Sequence, residues 1–151
     1  MKAVPYIIVL VIALAQVGSA ESIGNAHFTD INGKSTDLGQ ARMITFWSSG
    51  CAPCMKEINI LPNIARQNTD LSIAIVSLKD AEHTRGRLTP MPKNVRVLVA
   101  QNESKAVLTA FGNDRMLALP YSVMLDKKGR VCRKYYGILS AGKVKEWREK
   151  C

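Results

Sequence analysis

The sequence predicts an α/β fold: a central mixed sheet flanked by helices on both faces, with a small β-hairpin at its N-terminal side. Three observations carry this. Apolar, strand-length runs at 42–47, 71–78 and 95–99 alternate with helix-compatible stretches, the pattern of parallel strands joined by crossovers. Two further runs, Tyr121 to Leu125 and Val131 to Tyr136, are joined by Asp126-Lys127-Lys128-Gly129, a hairpin turn with glycine in a late position. A last segment, Ser140 to Lys150, closes as a helix, with Ser140 able to cap its first turn.

The elements follow in order. Met1-Lys2 is a short basic start, Tyr6 to Val17 is an apolar run broken only by Gln16, and Gly18-Ser19-Ala20 supplies small residues. That is the layout of a cleaved secretory signal peptide over residues 1–20, leaving one domain over residues 21–151 that starts at Glu21. The run is shorter than the roughly 20 apolar residues a membrane span needs, and an uncleaved N-terminal anchor is the alternative. His27 to Leu38 reads as the hairpin, because Asn32-Gly33 is a strong two-residue turn signal. Arg42 to Trp47 is the first central strand. The helix after it begins near Pro53, carries Ile58, Leu61, Ile64 and Ala65 at helical spacing, and should kink at Pro62. Leu71 to Leu78 suits a buried parallel strand. Asp80 to Pro92 reads as a short helix and a loop. Val95 to Val99 is a further strand, and Ser104 to Phe111 a helix capped by Ser104 or Asn102 and ended by Gly112.

The chain has 151 residues and a formal net charge of +9, which becomes +8 without residues 1–20 because Lys2 is the only charge there. A mature chain of about 130 residues suits one core. Lys127, Lys128, Arg130, Arg133 and Lys134 cluster near one turn, and Lys143, Lys145, Arg148 and Lys150 follow. A solvated basic face accounts for them as well as an acidic partner does. No basic–aromatic interleaving supports nucleic-acid binding.

The chemistry concentrates in Phe46-Trp47-Ser48-Ser49-Gly50-Cys51-Ala52-Pro53-Cys54. Two cysteines, two residues apart, sit between a strand and a helix. A sulfur at a helix N-terminus faces unpaired backbone N–H groups and the positive end of the helix dipole, which favour the reactive thiolate. Cys51, at the helix start, is the expected nucleophile; Cys54, one turn on, resolves the mixed disulfide. Pro53 stiffens the backbone between them. Zinc would need two more ligands at paired spacing, which Cys132, Cys151, His27 and His83 do not supply, so no metal is expected. A thiol peroxidase wants proline and threonine just before its cysteine, and Trp47 to Gly50 lacks them. Cys132 and Cys151 would close a loop of about twenty residues if paired, one clamp suited to an oxidising compartment; a buried thiol and a frayed terminus is the alternative.

Phe46-Trp47, Cys51-x-Pro53-Cys54-x-x-Glu57, Phe111-Gly112 and Leu119-Pro120-Tyr121 through Asp126-x-x-Gly129 resemble the thioredoxin fold, and within it the exported TlpA/ResA-like thiol–disulfide oxidoreductases. The resemblance spans roughly Ala26 to Lys150. It implies a cis Pro120 against the dithiol, and a backbone at Leu119 that pairs with an extended client chain. It implies that Glu57 influences proton transfer at the thiols, where the bland alternative is an exposed helical glutamate, and that Trp47 supports the active-site loop. Gly50 and Ala52 flank Cys51 as substrate-facing positions. It also implies a monomer without organic cofactor, acting on protein thiols and disulfides. The direction it implies is reducing, as in cytochrome c maturation or a related folding pathway, with a membrane electron donor. A disulfide-forming or isomerising oxidase and a non-enzymatic client-binding module are the alternatives. Two departures stand out. Gly50 occupies a position where relatives often carry an aromatic residue, and Thr45 stands where ordinary thioredoxin has a buried aspartate.

Overall fold

The computed structural model describes residues 26–151; the expected leader and the start at Glu21 lie outside them. Seven strands among these residues form one mixed sheet: β1 (Phe28–Thr29), β2 (Ser35–Thr36), β3 (Met43–Trp47), β4 (Ile73–Ser77), β5 (Val95–Ala100), β6 (Tyr121–Leu125) and β7 (Val131–Tyr136). Their order across the sheet is β2-β1-β5-β4-β3-β6-β7. β3, β4 and β5 run parallel, in the registers Thr45↔Ile75 and Ile75↔Val97. β6 returns antiparallel beside β3 with Phe46 opposite Tyr121, and β7 pairs antiparallel with β6.

β3, β4 and β6 are buried along their whole length, which is why they read as continuous apolar runs rather than alternating ones. Of the three polar residues on these buried strands, Ser77 accepts from Thr84 Oγ1 at 2.7 Å, and the other two face each other: the Thr45 and Ser122 hydroxyls meet at 2.9 Å across β3 and β6. The pair satisfies itself without charge, so the place of the thioredoxin aspartate holds a neutral bond.

Helices cover both faces. One core layer gathers Ile58, Leu61 and Ile64 of α1 (Ala52–Arg66) with Val144 and Trp147 of α4 (Ala141–Lys150), over Trp47 and Cys54. The other gathers Val107, Leu108 and Phe111, from α3 (Ser104–Ala110) and its end, over Phe46, Tyr121 and Val123. The short α2 (Ala81–Arg85) is capped by Asp80, which accepts from His83 N. α1 runs through Pro62 as one element, with Pro62 buried in its inner face. The helix therefore absorbs the loss of one N–H without breaking. α3 starts otherwise than expected: Glu103 is its N-cap and makes no side-chain cap bond. The Asn102 carboxamide is already engaged by His27 N at 2.6 Å, where β1 joins the β5 edge.

Cys132 on edge strand β7 and Cys151 at the end of α4 form a disulfide, with Cα atoms 6.0 Å apart. Arg42 adds a second tie, donating to Leu125 O at 2.8 Å and to Cys151 O at 3.4 Å. Arg148 of α4 reaches Asn68 Oδ1 and Asp70. The sequence separation of 19 makes removal of this cross-link worth about 3 kcal/mol in the chain-entropy model. Cys132→Ser/Cys151→Ser is therefore expected to lower the melting temperature by roughly 10 °C. A thermal scan with the Cys51–Cys54 pair left intact checks it, and an unchanged midpoint would count against the clamp.

Candidate active site

The site lies where β3 ends and α1 begins. Trp47 closes the strand, fully buried, with its carbonyl accepting from Leu78 N at 2.9 Å. Ser48 to Gly50 turn the chain outward, and Cys51 N donates to Ser48 O at 3.0 Å. Cys51 is the N-cap of α1: its Sγ accepts from the Cys54 backbone N–H at 3.2 Å, and its carbonyl accepts from Met55 N at 3.1 Å. A sulfur in a capping position replaces the usual hydroxyl or carboxylate, and no acidic residue lies in the first turn to neutralise the helix end. Charge on that sulfur is stabilised by the bond and by the dipole.

Cys51 and Cys54 are joined as a disulfide, Cα atoms 5.2 Å apart. Their environments differ. Cys51 is partly exposed, flanked by exposed Gly50, Ala52 and Pro53, whereas Cys54 is fully buried against Trp47 and Ile58. A side chain at Gly50 would meet nothing within 4 Å, so the approach to Cys51 is open there.

Glu57, one helical turn beyond Cys54 on the same face of α1, is fully buried. That excludes the exposed-glutamate alternative. Its Oε1 accepts from Leu139 N at 2.8 Å, while Oε2 has no hydrogen-bond partner among the described residues. Burial pushes its carboxyl up from the ordinary 4.5 to about 7, against the downward pull of the Leu139 bond. A carboxyl shifted to near neutrality three residues after Cys54 on the same helix face has the pKa that an acid–base group needs.

The Leu119–Pro120 bond is cis, and Pro120 is buried one residue before Tyr121, the partner of Phe46. β6 thus brings Pro120 to the same end of the sheet as Trp47. Leu119, partly buried, packs against both core layers. Tyr121 Oη donates to Phe111 O at 2.7 Å, tying the end of α3 to the start of β6, and burial holds this phenol well above its usual range. Gly112, at φ 76°, turns the chain out of α3.

Two contributors have no signature in the sequence. Gly137 N donates to Pro120 O at 2.9 Å, and Leu139 N donates to Glu57. The turn between β7 and α4 therefore joins the cis-proline strand to the buried acid through backbone groups alone. The only hint is positional: Ser140, legible as a cap, fixes where that turn ends.

The Redoxin family model matches residues 21–149. A thiol-disulfide oxidoreductase ResA of Bacillus thuringiensis subsp. konkukian is 25% identical over 132 residues, covering 83% of this chain and 74% of that one. A sporulation thiol-disulfide oxidoreductase A of Bacillus subtilis is 26% identical over 114 residues, covering 74% and 68%. Among solved structures, a thioredoxin-related protein of Neisseria meningitidis serogroup B superposes with a TM-score of 0.70 at 15% identity, over 81% of this chain and 96% of that one. StoA of Bacillus subtilis gives 0.59 at 19% identity, over 81% and 94%.

Proposed function

The chain belongs to the Redoxin family and is a thiol–disulfide oxidoreductase with the thioredoxin fold; from that premise we propose that it works outside the cytoplasm as a reductant of protein disulfides. The observation that carries this is the asymmetry of the dithiol: Cys51 is an accessible helix cap, Cys54 is buried one turn behind it, and a buried carboxyl follows. In the reduced enzyme the Cys51 thiolate attacks one sulfur of a client disulfide. A Cys51–client bond forms, the client S–S bond breaks, and the other client sulfur leaves as a thiolate that takes up a proton. Cys54 then gives its proton to Glu57 and attacks Cys51; the Cys51–client bond breaks, and the second client sulfur leaves as a thiolate that takes up a proton as Glu57 gives up its own. The enzyme ends with the Cys51–Cys54 disulfide; the client has gained two electrons and two protons. A dithiol donor at the membrane restores the starting state by the reverse exchange. Clients in cytochrome c maturation or a related folding pathway fit this role.

Export is supported by the leader-like residues 1–20, by a family match that begins at residue 21, and by Cys132–Cys151, since a cross-link of this kind persists in oxidising compartments. Among the described residues no helix is long and apolar enough to cross a membrane. The reducing direction is supported by Ala52-Pro53, which places no histidine between the cysteines to hold the thiolate further down. Equilibration in glutathione buffers tests it. The expected potential lies near the thioredoxin value of about −270 mV. A value near −120 mV, that of strong disulfide-forming oxidants, would instead establish the oxidase reading.

A further inference from the structure

The loop between α3 and β6 contains a feature that neither the redox step nor the core explains. Met116 and Leu117 are consecutive non-glycine residues at φ 36° and 66°, the left-handed region that side chains of this size rarely enter. Both are large apolar residues held in the open: Met116 is 99% exposed and Leu117 45%. The conformation is over-determined by its surroundings. Asn113 donates to Ala118 O at 3.3 Å and accepts from Arg115 N at 3.0 Å, and Ala118 N closes onto Arg115 O at 2.8 Å. Tyr136 Oη accepts from Asp114 N and donates to Asp114 Oδ1 at 2.6 Å. Arg115 stacks over the Tyr136 ring, 4.6 Å from its centroid. Strain over-determined by its surroundings in this way clusters at active sites and ligand clamps.

Beside the pair lies a cavity of about 320 Å³, lined by Leu108 and Thr109 of α3 together with Met116 and Leu117. That is at the small end for ligand pockets, room for one or two side chains rather than a cofactor. Its charge is one-sided. Asp114 is neutralised by Lys134 at 2.7 Å, whereas Lys105 and Arg115 form no ion pair among the described residues. The loop also runs directly into Leu119 and cis-Pro120, the backbone assigned to the client chain.

We propose that Met116 and Leu117 form a client-docking ridge that selects an apolar side chain with an acidic neighbour, a few residues from the client's reacting cysteine. The proposal rests on the disulfide-reductase reading. An extended client paired along Leu119 continues past Ala118, so its next outward side chain meets the ridge and its acidic neighbour meets Lys105. Methionine suits such a surface, because its unbranched thioether adapts to differently shaped partners.

The test uses the full mature chain and three short peptides, each closed by one intramolecular disulfide and carrying Leu-Glu, Ser-Glu or Leu-Lys near one cysteine. The wild type is expected to show a KM roughly tenfold lower for Leu-Glu than for Ser-Glu, the size of burying one apolar side chain. Its KM should be roughly threefold lower than for Leu-Lys, with kcat similar throughout. Met116→Ser/Leu117→Ser should erase the Leu-over-Ser preference through KM, and Lys105→Glu should reverse the charge preference. Val131→Ser, an exposed apolar residue on β7, should change neither. Equal KM values for the three peptides in a wild type that still reduces oxidised glutathione would overturn the ridge alone. A wild type inactive on every disulfide would overturn the parent reading too. A concentration-dependent dimer lost in the double variant would show that the ridge holds a second copy instead, which also defeats the proposal.

Discussion

Cys51→Ala is expected to lose disulfide reduction altogether, its rate on an insulin disulfide falling to that of the buffer thiol alone, while Cys54→Ala is expected to keep the first chemical step. The difference follows from placement. Only Cys51 is both partly exposed and capping the helix, so only its sulfur is reachable and charge-stabilised at once. An ordinary cysteine with a pKa of about 8.5 is only a few per cent thiolate at pH 7, so the capping bond and the dipole multiply the reactive fraction at Cys51. Cys54, fully buried, gains nothing from exposure and acts once, intramolecularly, on a sulfur already beside it. Cys54→Ala should therefore show one rapid turnover that stalls as a mixed disulfide. Stopped-flow reduction with a single-equivalent phase checks this. Multiple turnover by Cys51→Ala would reverse the assignment of the two sulfurs.

Glu57→Gln has the second-largest expected effect, and it has two signatures. Kinetically, glutamine cannot accept the Cys54 proton, so resolution of the mixed disulfide should slow by roughly 10²-fold above pH 7.5, the lower bound for general base catalysis. Wild-type resolution should rise with pH through about 7, where Glu57 ionises, and the variant should lose that inflection. Thermodynamically, the folded-state pKa lies above the unfolded one. Between pH 4.5 and about 7 the unfolded chain gives up this proton while the folded chain keeps it, so stability falls as pH rises through that window. The loss attributable to Glu57 is roughly 3 kcal/mol at 1.36 kcal/mol per pH unit. Below pH 4.5 both states hold the proton and this loss is absent, so stability is fully present there. The variant should flatten this decline in urea titrations at pH 5 and pH 8. Identical pH profiles in rate and stability would remove Glu57 from the proton path.

The parts of this site that are local in sequence are legible there. The strand, the turn, the two cysteines and the helix occupy Met43 to Arg66 without interruption, and each is written in residue type and spacing. Pro120 is legible only through resemblance, because cis and trans prolines look alike in a single sequence. Glu57 also reads as an exposed helical residue, the lesser alternative to its role at the thiols. What separates the two readings is Leu139, 82 positions away, whose backbone N–H carries no side-chain signature. The same holds for Gly137 and Pro120. The left-handed pair Met116-Leu117 was unreadable for a different reason: turn rules point to Gly or Asn at such angles, and neither is present. The α3 cap failed because Asn102, suited to a cap, was taken by His27 across the sheet edge. Hydrophobic period fixes elements; long-range backbone bonds and strained loops are settled only by tertiary structure.

The central claim is that client disulfides are opened by Cys51 and closed off by Cys54. Its most direct measurement is peptide mapping by mass spectrometry of adducts captured by Cys54→Ala, recovered under non-reducing conditions from cells that produce the variant. The predicted result is client cysteines linked to Cys51, with Cys132 still bonded to Cys151. Adducts linked through Cys132 or Cys151, or a reduced variant that captures no client while its Cys51 remains alkylatable, would contradict it.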